Sequence, residues 1–480
     1  MPIVSTSAGK LRGIRLGDGL LAFRGIPYAA APVGPLRWRP PAPVDPWSGV
    51  RDAQAFGADA VQVSGIRESR APGMSEDCLF LNVWAPEEAR EGGWPVIVWS
   101  GGGGFNTGGG AFAVEDMSRL AARGAVVVSF NYRLGIFGFL AHRALTAESD
   151  TGSSGNYGLM DHVAALEWVR ANIAGFGGDG DRITYMAESS GAAAGLLMLA
   201  MTRDRALFDR AILLSPGSVS PLLPLDEAEA SAAALAMSAD DMRALTAEEL
   251  LVRSKSLAAP PSNLSVARPL RPIVDGRLVT TDRAYAEGNF AAVPVIIGTN
   301  EDEGRFFTRR MAISSLADYS RYLSDSFGRR AGEARALYPA ATDADVAAAV
   351  AAAYGDVSIN HPVDRLARAF ARRQPRTFRF VYTYRHGHMQ QPPTHAEEAE
   401  TFLDNRPHVT PADAEMAGLI GRYLLAFAEK GDPSSPEMPG WPAFDAEGEH
   451  YLRLDLPLAH GARWRSEHMG FLSEAFDSTS

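Results

Sequence analysis

The sequence predicts an α/β protein in which a mostly parallel central sheet is covered by helices on both faces. Short apolar runs, typical of buried strands, alternate along most of the chain with segments of helical periodicity. Hydrophobic residues make up 46% and charged residues 21% of the 480 residues, as in a globular protein with a large core. We expect 1–480 to form a single domain, with helical insertions near 226–257 and 316–373.

Each predicted element has its own local signal. An apolar run bounded by turn residues predicts a buried strand, recurrence three and four positions apart predicts a helix, and strict alternation predicts a half-buried strand. The last of these helices stops at Gly431, and Pro433 follows. In chain order the signals predict strand 96–99, strand 126–130, helix 159–173, strand 183–186, helix 191–199, strand 293–297, strand 378–384 and helix 416–427.

Charge and cysteine content limit the partners and the location. The formal net charge of −11 argues against a nucleic-acid-binding protein, which would present a basic face. With Cys78 as the one cysteine, an intrachain disulfide is impossible. No apolar run reaches the length of a membrane span, and no signal peptide is visible at the N-terminus. We therefore expect a cytoplasmic protein without membrane contact, or a secreted one if a leader has been removed.

A small-residue turn at 187–191 is the first candidate for chemistry. The sequence Ala187-Glu188-Ser189-Ser190-Gly191 lies directly between a predicted strand and a predicted helix. A nucleophilic serine on such a sharp turn needs small residues two positions before and after it, which Ala187 and Gly191 provide. The alternative is a turn that only packs the helix against the strand.

A glycine-rich loop follows the strand at 96–99. Gly101 to Gly104 precede Phe105, and consecutive glycines allow backbone N–H groups to approach a developing oxyanion closely. A flexible turn or a phosphate-binding loop is the alternative, although no Lys-Ser/Thr pair follows as a phosphate loop requires. The loop therefore predicts an oxyanion hole.

An acid and a base should follow the serine in chain order. Glu301, Asp302 and Glu303 follow the strand at 293–297, and spacing alone leaves the choice among them open. Of the later histidines, His386, His388 and His395 follow the late strand at 378–384 most closely. The full set of candidate bases is His361, His386, His388, His395, His408, His450, His460 and His468.

Several ordered motifs resemble the type-B carboxylesterases, which include bacterial para-nitrobenzyl esterases and cholinesterases. The resemblance covers nearly the whole chain. The matching segments are 23–29, 36–41, 75–84, 131–135, 155–161, 176–179, 272–276 and 427–433. The resemblance implies an α/β-hydrolase fold and the hydrolysis of carboxylic esters.

The resemblance also implies the roles of individual residues. The family's acid precedes the glycine of an Asp-Glu-Gly triplet, which corresponds to Glu303, and its histidine corresponds to His395. Ser189 is then the nucleophile. The oxyanion donors correspond to Gly103, Gly104 and Ser190, and the neighbouring Glu188, Gly102 and Phe105 are candidate substrate-binding residues. No metal or cofactor is expected. The expected partner is a small-molecule ester, and the family occurs as monomers and homodimers.

Some positions depart from the family's pattern. Gly101 stands where a histidine or tyrosine is usual, which should open space beside the acyl site. Ala60 replaces a cysteine that often pairs with the counterpart of Cys78, and the choline-binding tryptophan is missing from the segment between them. A cholinesterase role is therefore not expected. The family further suggests Arg37–Glu76 and Arg133–Asp161 as structural ion pairs.

Two other functions are compatible with these residues. The same three residues would also serve the hydrolysis of lactones, carbamates or amides. A non-catalytic binding protein on this fold is the second alternative, but such proteins typically lose the serine or the histidine, and this chain keeps both.

Overall fold

The structure, a computed structural model, describes residues 1–63, 68–202, 206–257, 262–265 and 268–476. Its strands are β1 (Ile3–Ser5), β2 (Lys10–Arg12), β3 (Ile14–Arg15), β4 (Leu20–Pro27), β5 (Val50–Asp52), β6 (Asp59–Ala60), β7 (Met74–Ser75), β8 (Phe80–Pro86), β9 (Trp94–Ser100), β10 (Val126–Phe130), β11 (Gly178–Glu188), β12 (Arg210–Leu214), β13 (Val295–Asn300), β14 (Thr377–Tyr382), β15 (His450–Leu454) and β16 (Ala459–Ala462).

One large mixed sheet organises the molecule. Its strand order is β3-β4-β8-β10-β9-β11-β12-β13-β14-β15-β16. Neighbouring strands are parallel from β10 through to β15 in this order, whereas β3, β4 and β8 at one edge and β16 at the other are antiparallel. This mostly parallel sheet confirms the predicted fold class.

The central strands β9 and β10 are almost entirely buried because both faces of the sheet are covered. In β9, Val96 and Val98 belong to the core on one face, and Ile97 and Trp99 belong to the core on the other. The helices that cover the sheet and its edges are α1 (Ser118–Ala122), α2 (Gly135–Phe139), α3 (Arg143–Ala147), α4 (Tyr157–Asn172), α5 (Ser189–Met201), α6 (Leu225–Ser231), α7 (Ala239–Ala244), α8 (Ala247–Ser254), α9 (Ala284–Glu287), α10 (Arg305–Thr308), α11 (Leu316–Phe327), α12 (Ala331–Leu337), α13 (Val346–Gly355), α14 (His361–Ala371), α15 (Glu397–Phe402), α16 (Pro411–Lys430) and α17 (Ser466–Phe476).

The predicted elements are present, with one difference in character. Helices α6 to α8 lie in the segment 226–257, and α11 to α14 lie in 316–373. Strand β14, predicted to be half-buried from its alternation, is buried at every residue. Arg379 accounts for the difference, because its guanidinium is fully buried and donates to Asp364 at 2.6 Å. An ion pair thus allows a charged residue to stand in a central strand.

Both ion pairs suggested by the resemblance are confirmed. Arg37 donates to Glu76 through two nitrogen atoms, at 2.6 and 2.5 Å. Arg133 donates to Asp161 at 2.8 and 2.7 Å, and both side chains are buried. Cys78 is a buried free thiol. Within the described ranges, no helix combines the length and apolar character needed to cross a bilayer.

Candidate active site

Ser189 stands on a sharp turn between β11 and α5. Its φ of 51° lies in the left-handed region, which is strained for a residue with a side chain. Close packing around the turn explains the small neighbours: a Cβ at Gly191 would lie 2.3 Å from the carbonyl oxygen of Ser100, and Ala187 is completely buried. The strand–turn–helix context predicted for this segment is confirmed.

In the structure, Ser189, His395 and Glu303 are linked by two consecutive hydrogen bonds. The Oγ of Ser189 lies 2.9 Å from Nε2 of His395, and Nδ1 of the same ring lies 2.6 Å from Oε2 of Glu303. Ser189 follows β11, Glu303 follows β13 and His395 lies in the connection after β14. Three parallel strands, β11, β13 and β14, thus place these side chains at the carboxyl edge of the sheet, where ligand sites of open α/β sheets lie.

Glu303 is held by several donors. Its Oε1 accepts hydrogen bonds from the Asn300 amide at 2.6 Å and from the Ser215 hydroxyl at 2.7 Å. Burial alone would raise the pKa of Glu303, but the charge and hydrogen bond of His395, together with Ser215 and Asn300, lower it. The carboxylate is therefore ionised and fixed opposite the imidazole.

A second buried glutamate, Glu398, lies behind Glu303. It contacts the Ser215 hydroxyl at 2.7 Å through Oε1 and accepts a hydrogen bond from the side-chain amide of Asn300 through Oε2. Burial raises the pKa of Glu398, and the charges of Glu303 and Glu188 raise it further. Glu398 is thus predisposed to be protonated beside an ionised neighbour.

Glu188 lies on the other side of the histidine. Its Oε1 is 3.2 Å from Nε2 of His395, the same nitrogen atom that faces Ser189. Burial would lower the pKa of His395, but the charge and hydrogen bond of Glu303, together with the charge of Glu188, outweigh it and raise the pKa. The surrounding carboxylates therefore favour the imidazolium that forms when the ring accepts a proton.

The predicted oxyanion donors lie on the turn and on the neighbouring loop. Gly103 and Gly104 have φ of 138° and 63°, backbone conformations that favour glycine. Among the described residues, the amides of both glycines donate no hydrogen bond. Ser190 is in the first turn of α5, where an amide has no acceptor within the helix. Asn106 fixes the loop by donating to the Gly104 carbonyl at 2.7 Å.

The three candidate substrate-binding residues lie in different surroundings. A Cβ at Gly102 would lie 2.1 Å from Oε2 of Glu188, so the missing side chain lets this carboxylate lie against the loop. Phe105, in contrast, is buried against Phe139 with the ring centroids 5.1 Å apart. Its ring belongs to the core, and its backbone shapes the loop.

The acids and histidines left open by the sequence are separated by the structure. Glu301 lies 3.3 Å from Arg385, and Asp302 lies 3.3 Å from Arg305, so both are engaged away from His395. Of the described histidines, His395 alone has a hydrogen bond to Ser189. Other late histidines bond elsewhere: His361 to Ser473, His408 to Asp404, His460 to Gly440 and His468 to Leu337, and His386 lies near Asp413.

Sequence reasoning missed several contributors to the site, including Asn300, which donates to Glu303 and Glu398. Ser215 follows β12 at the carboxyl edge of the sheet, and this position after a buried strand was the available signal. Phe306 and Phe307 place their rings 5.7 and 4.7 Å from the imidazole of His395.

Within the described parts of the chain, no group of three His, Cys, Asp or Glu side chains could hold a metal ion.

A serine, a histidine and a glutamate in contact at the carboxyl edge of this sheet define a serine hydrolase of the α/β-hydrolase fold. Residues 1–472 match the model of the carboxylesterase family. The chain therefore belongs to the carboxylesterase family and is a carboxylesterase.

Similar proteins from three organisms support this assignment. The chain is 41% identical to a fumonisin B1 esterase of Sphingopyxis macrogoltabida, over 92% of this chain and 85% of the relative. It is 34% identical to a para-nitrobenzyl esterase of Bacillus subtilis strain 168, over 95% of each chain. It is 30% identical to an acetylcholinesterase of Bungarus fasciatus, over 98% of this chain and 85% of the relative.

Proposed function

We propose that this carboxylesterase acts through an acyl-enzyme on Ser189, with His395 as general base and Glu303 as the orienting acid. The observation that carries the proposal is the hydrogen-bonded row from Ser189 Oγ through His395 to Glu303, at 2.9 and 2.6 Å. Oγ attacks the ester carbonyl carbon while its proton passes to Nε2 of His395. Glu303 holds the Nδ1–H tautomer and stabilises the imidazolium.

The oxyanion of the tetrahedral intermediate would accept hydrogen bonds from the amides of Gly103, Gly104 and Ser190. Preorganised amides of this kind are usually a large part of the catalytic effect. When the intermediate collapses, the alcohol leaves with the proton from His395. A water molecule then attacks the acyl carbon, gives its proton to His395, and the carboxylic acid departs as Ser189 regains its proton.

Glu188 would stabilise the positive charge that His395 acquires in both steps. Its carboxylate lies 3.2 Å from Nε2, the atom that receives the proton. Gly102 is proposed to shape the site beside it, because only a residue without a side chain leaves room for this carboxylate. We further propose that 1–480 is one catalytic domain acting on a small-molecule ester, as a monomer or homodimer. The names of the relatives specify chemically different esters, so they support the bond that is cleaved rather than one substrate.

The first test is covalent labelling of the serine. The protein and a Ser189→Ala variant would be incubated with a fluorophosphonate probe, and the intact masses would be measured. One adduct on the parent and none on the variant are expected, because only an activated serine reacts at a useful rate. Hydrolysis of a p-nitrophenyl ester, a lactone, a carbamate and an amide would be measured in parallel.

Two outcomes would contradict the proposal. A folded parent protein without an adduct would mean that Ser189 is not activated. An adduct that persists in Ser189→Ala would assign the nucleophile to another residue. Faster hydrolysis of the lactone, carbamate or amide than of the ester would keep the triad and change the substrate class.

A further inference from the structure

The guanidinium of Arg268 lies against the oxyanion loop, which is the glycine-rich loop at 101–104. A Cβ at Gly104 would lie 2.3 Å from Cζ and 2.4 Å from Nε of Arg268, so the loop backbone and the cation are in direct contact. Tyr354 is a neighbouring titratable group of Arg268. The ring centroid of Tyr354 lies 5.4 Å from that of Phe307, which itself lies 4.7 Å from the ring of His395. Arg268 therefore contacts the oxyanion loop and neighbours the group of aromatic rings that packs beside His395.

Arg268 has no counter-ion among the described residues. The fully buried arginines Arg133 and Arg379 are paired, with Asp161 at 2.7 Å and with Asp364 at 2.6 Å respectively. Burial lowers the pKa of Arg268, as expected for a cation whose lost hydration is not replaced. A partly buried guanidinium without an anionic partner, beside a reaction centre, is a ready binding site for a carboxylate.

The segment that follows Arg268 is hydrogen-bonded to the oxyanion loop through Asn106. Asn106 donates to the carbonyl of Gly104 at 2.7 Å and to the carbonyl of Leu270 at 3.3 Å. Further along, the Ile273 amide donates to the side chain of Asn156 at 3.0 Å, and Asn156 donates back at 3.0 Å. These contacts tether the chain two and five residues after Arg268.

The charges around His395 make this cation significant for substrate choice. Glu188 lies 3.2 Å and Glu303 lies 2.6 Å from the imidazole, and such carboxylates repel an anionic substrate. A cation facing the oxyanion loop offsets this repulsion. Without it, the site would favour neutral or cationic esters.

We propose, on the basis of the function proposed above, that Arg268 is a specificity-determining residue that binds a carboxylate of the substrate. The preferred substrates would then be esters that carry a second, ionised carboxyl group near the scissile bond. A guanidinium and a carboxylate form paired, charge-assisted hydrogen bonds, so the contact would orient the ester as well as hold it. The carboxylate can belong to the acyl part or to the alcohol part of the ester.

The test compares anionic esters with neutral esters of the same shape. For the acyl side, the p-nitrophenyl monoester of adipic acid is compared with the p-nitrophenyl ester of adipic acid monoamide. For the alcohol side, 3-carboxyphenyl acetate is compared with 3-carbamoylphenyl acetate. The quantity measured is the ratio of kcat/KM for the anionic ester to kcat/KM for its neutral partner. It is determined for the parent protein and for Arg268→Met, Arg268→Lys and Arg271→Gln.

A ratio above one is expected for the parent in at least one pair, and that pair identifies the side that carries the carboxylate. Arg268→Met should lower this ratio about tenfold or more, because a hydrogen-bonded charge is lost. Arg268→Lys should retain part of the preference. Arg271→Gln removes a neighbouring cation that donates to the Pro221 carbonyl, and it should change the ratio much less.

Two results would overturn the inference. One is a parent ratio of one or below in both pairs. The other is a ratio in Arg268→Met equal to that of the parent. In either case the neutral esters would still be hydrolysed by the parent and Ser189 would still be labelled. If the parent neither hydrolysed the neutral esters nor became labelled at Ser189, the proposed function, on which this inference depends, would have failed instead.

Discussion

Glu303 and Glu398 approach the same hydroxyl group, Ser215 Oγ, at 2.7 Å each. A hydroxyl carries one proton and can donate to one of them only. Glu303 is the ionised partner, since it faces His395 at 2.6 Å and accepts from the Asn300 amide. Glu398, whose pKa is raised by burial, is therefore expected to carry a proton and to donate it to Ser215. This chain of donors fixes the acid that orients the histidine.

Substitutions of Glu398 test this protonation state. In Glu398→Gln, the amide can still donate to Ser215 and accept from Asn300, so activity and stability should be largely retained. In Glu398→Ala, both partners lose a buried hydrogen bond, and we expect the free energy of unfolding to fall by about 1–3 kcal/mol. Urea unfolding and kcat/KM measure the difference. Equal damage in the two variants would argue that Glu398 is ionised.

Glu303→Gln is expected to lower kcat by roughly 10²–10⁴-fold, because an amide that donates to Nδ1 of His395 would stabilise the wrong tautomer. Steady-state kinetics on a p-nitrophenyl ester would measure the loss. The matched control is Glu301→Gln, since Glu301 lies in the same loop and faces Arg385. A similar loss in both variants would show that the loop structure, and not the contact with His395, is responsible.

The pH dependence of activity should reflect the carboxylates around His395. Because they raise the pKa of His395, the ring is protonated and inactive below a pH that lies above the ordinary histidine value of about 6.5. Activity should therefore rise with pH through that range. Glu188→Gln removes a negative charge and destabilises the imidazolium, so the acidic limb of kcat/KM should move to lower pH.

Profiles of kcat/KM between about pH 5 and pH 9 would measure this shift. Glu397→Gln is the control. Its carboxylate accepts from the Thr394 amide at 3.3 Å and is not among the charges that raise the pKa of His395. An unchanged limb in Glu188→Gln, or a move to higher pH, would contradict the role assigned to Glu188.

The fold and the nucleophile turn were predictable because their signals are local. Apolar runs such as 126–130 match a strand residue for residue. The small residues beside Ser189 are required by contacts within a few residues and with one neighbouring strand. Local pattern was less informative in β14, where alternation predicted a half-buried strand. Both faces of β14 are buried, and the ion pair with Asp364 compensates the charge of Arg379.

The remainder of the site depends on contacts between distant segments. Three consecutive acids gave no means of choosing Glu303 by spacing, and the choice followed from the family resemblance alone. Ser215 is 88 residues from Glu303 in sequence. The contact between Arg268 and Gly104 is also formed by tertiary folding. Neither contact produces a periodic pattern in the sequence. The pattern of a single segment therefore cannot predict it.

Gly103→Ala tests the oxyanion loop. At φ of 138°, a Cβ would lie 2.0 Å from the Thr107 carbonyl oxygen, so the loop must move and its amide must shift away from the oxyanion. We expect kcat to fall about 10²–10³-fold with a smaller change in KM. Gly152→Ala is the control, since Gly152 also has positive φ but nothing within 4 Å of the added Cβ. Equal effects on kcat would exclude a role of the loop in catalysis.

Removal of one partner of the buried Arg133–Asp161 pair should be costly for stability. Both side chains are buried, and Asp161 also accepts from the Arg133 amide at 3.0 Å. Asp161→Ala leaves a buried guanidinium without its anionic partner, and we expect a loss of about 3–5 kcal/mol in urea unfolding. Asp52→Ala breaks the exposed pair with Arg12 and should cost less than about 1 kcal/mol.

The double variant Arg133→Met/Asp161→Ala distinguishes the cost of an unpaired charge from the cost of lost packing. Once the cation is also removed, no buried charge remains unpaired, so the double variant should be more stable than Asp161→Ala alone. Stability at or below that of the single variant would show that packing around Arg133, and not the stranded charge, determines the loss. Because the pair is internal to the fold, kcat/KM per folded molecule should change less than stability in Asp161→Ala.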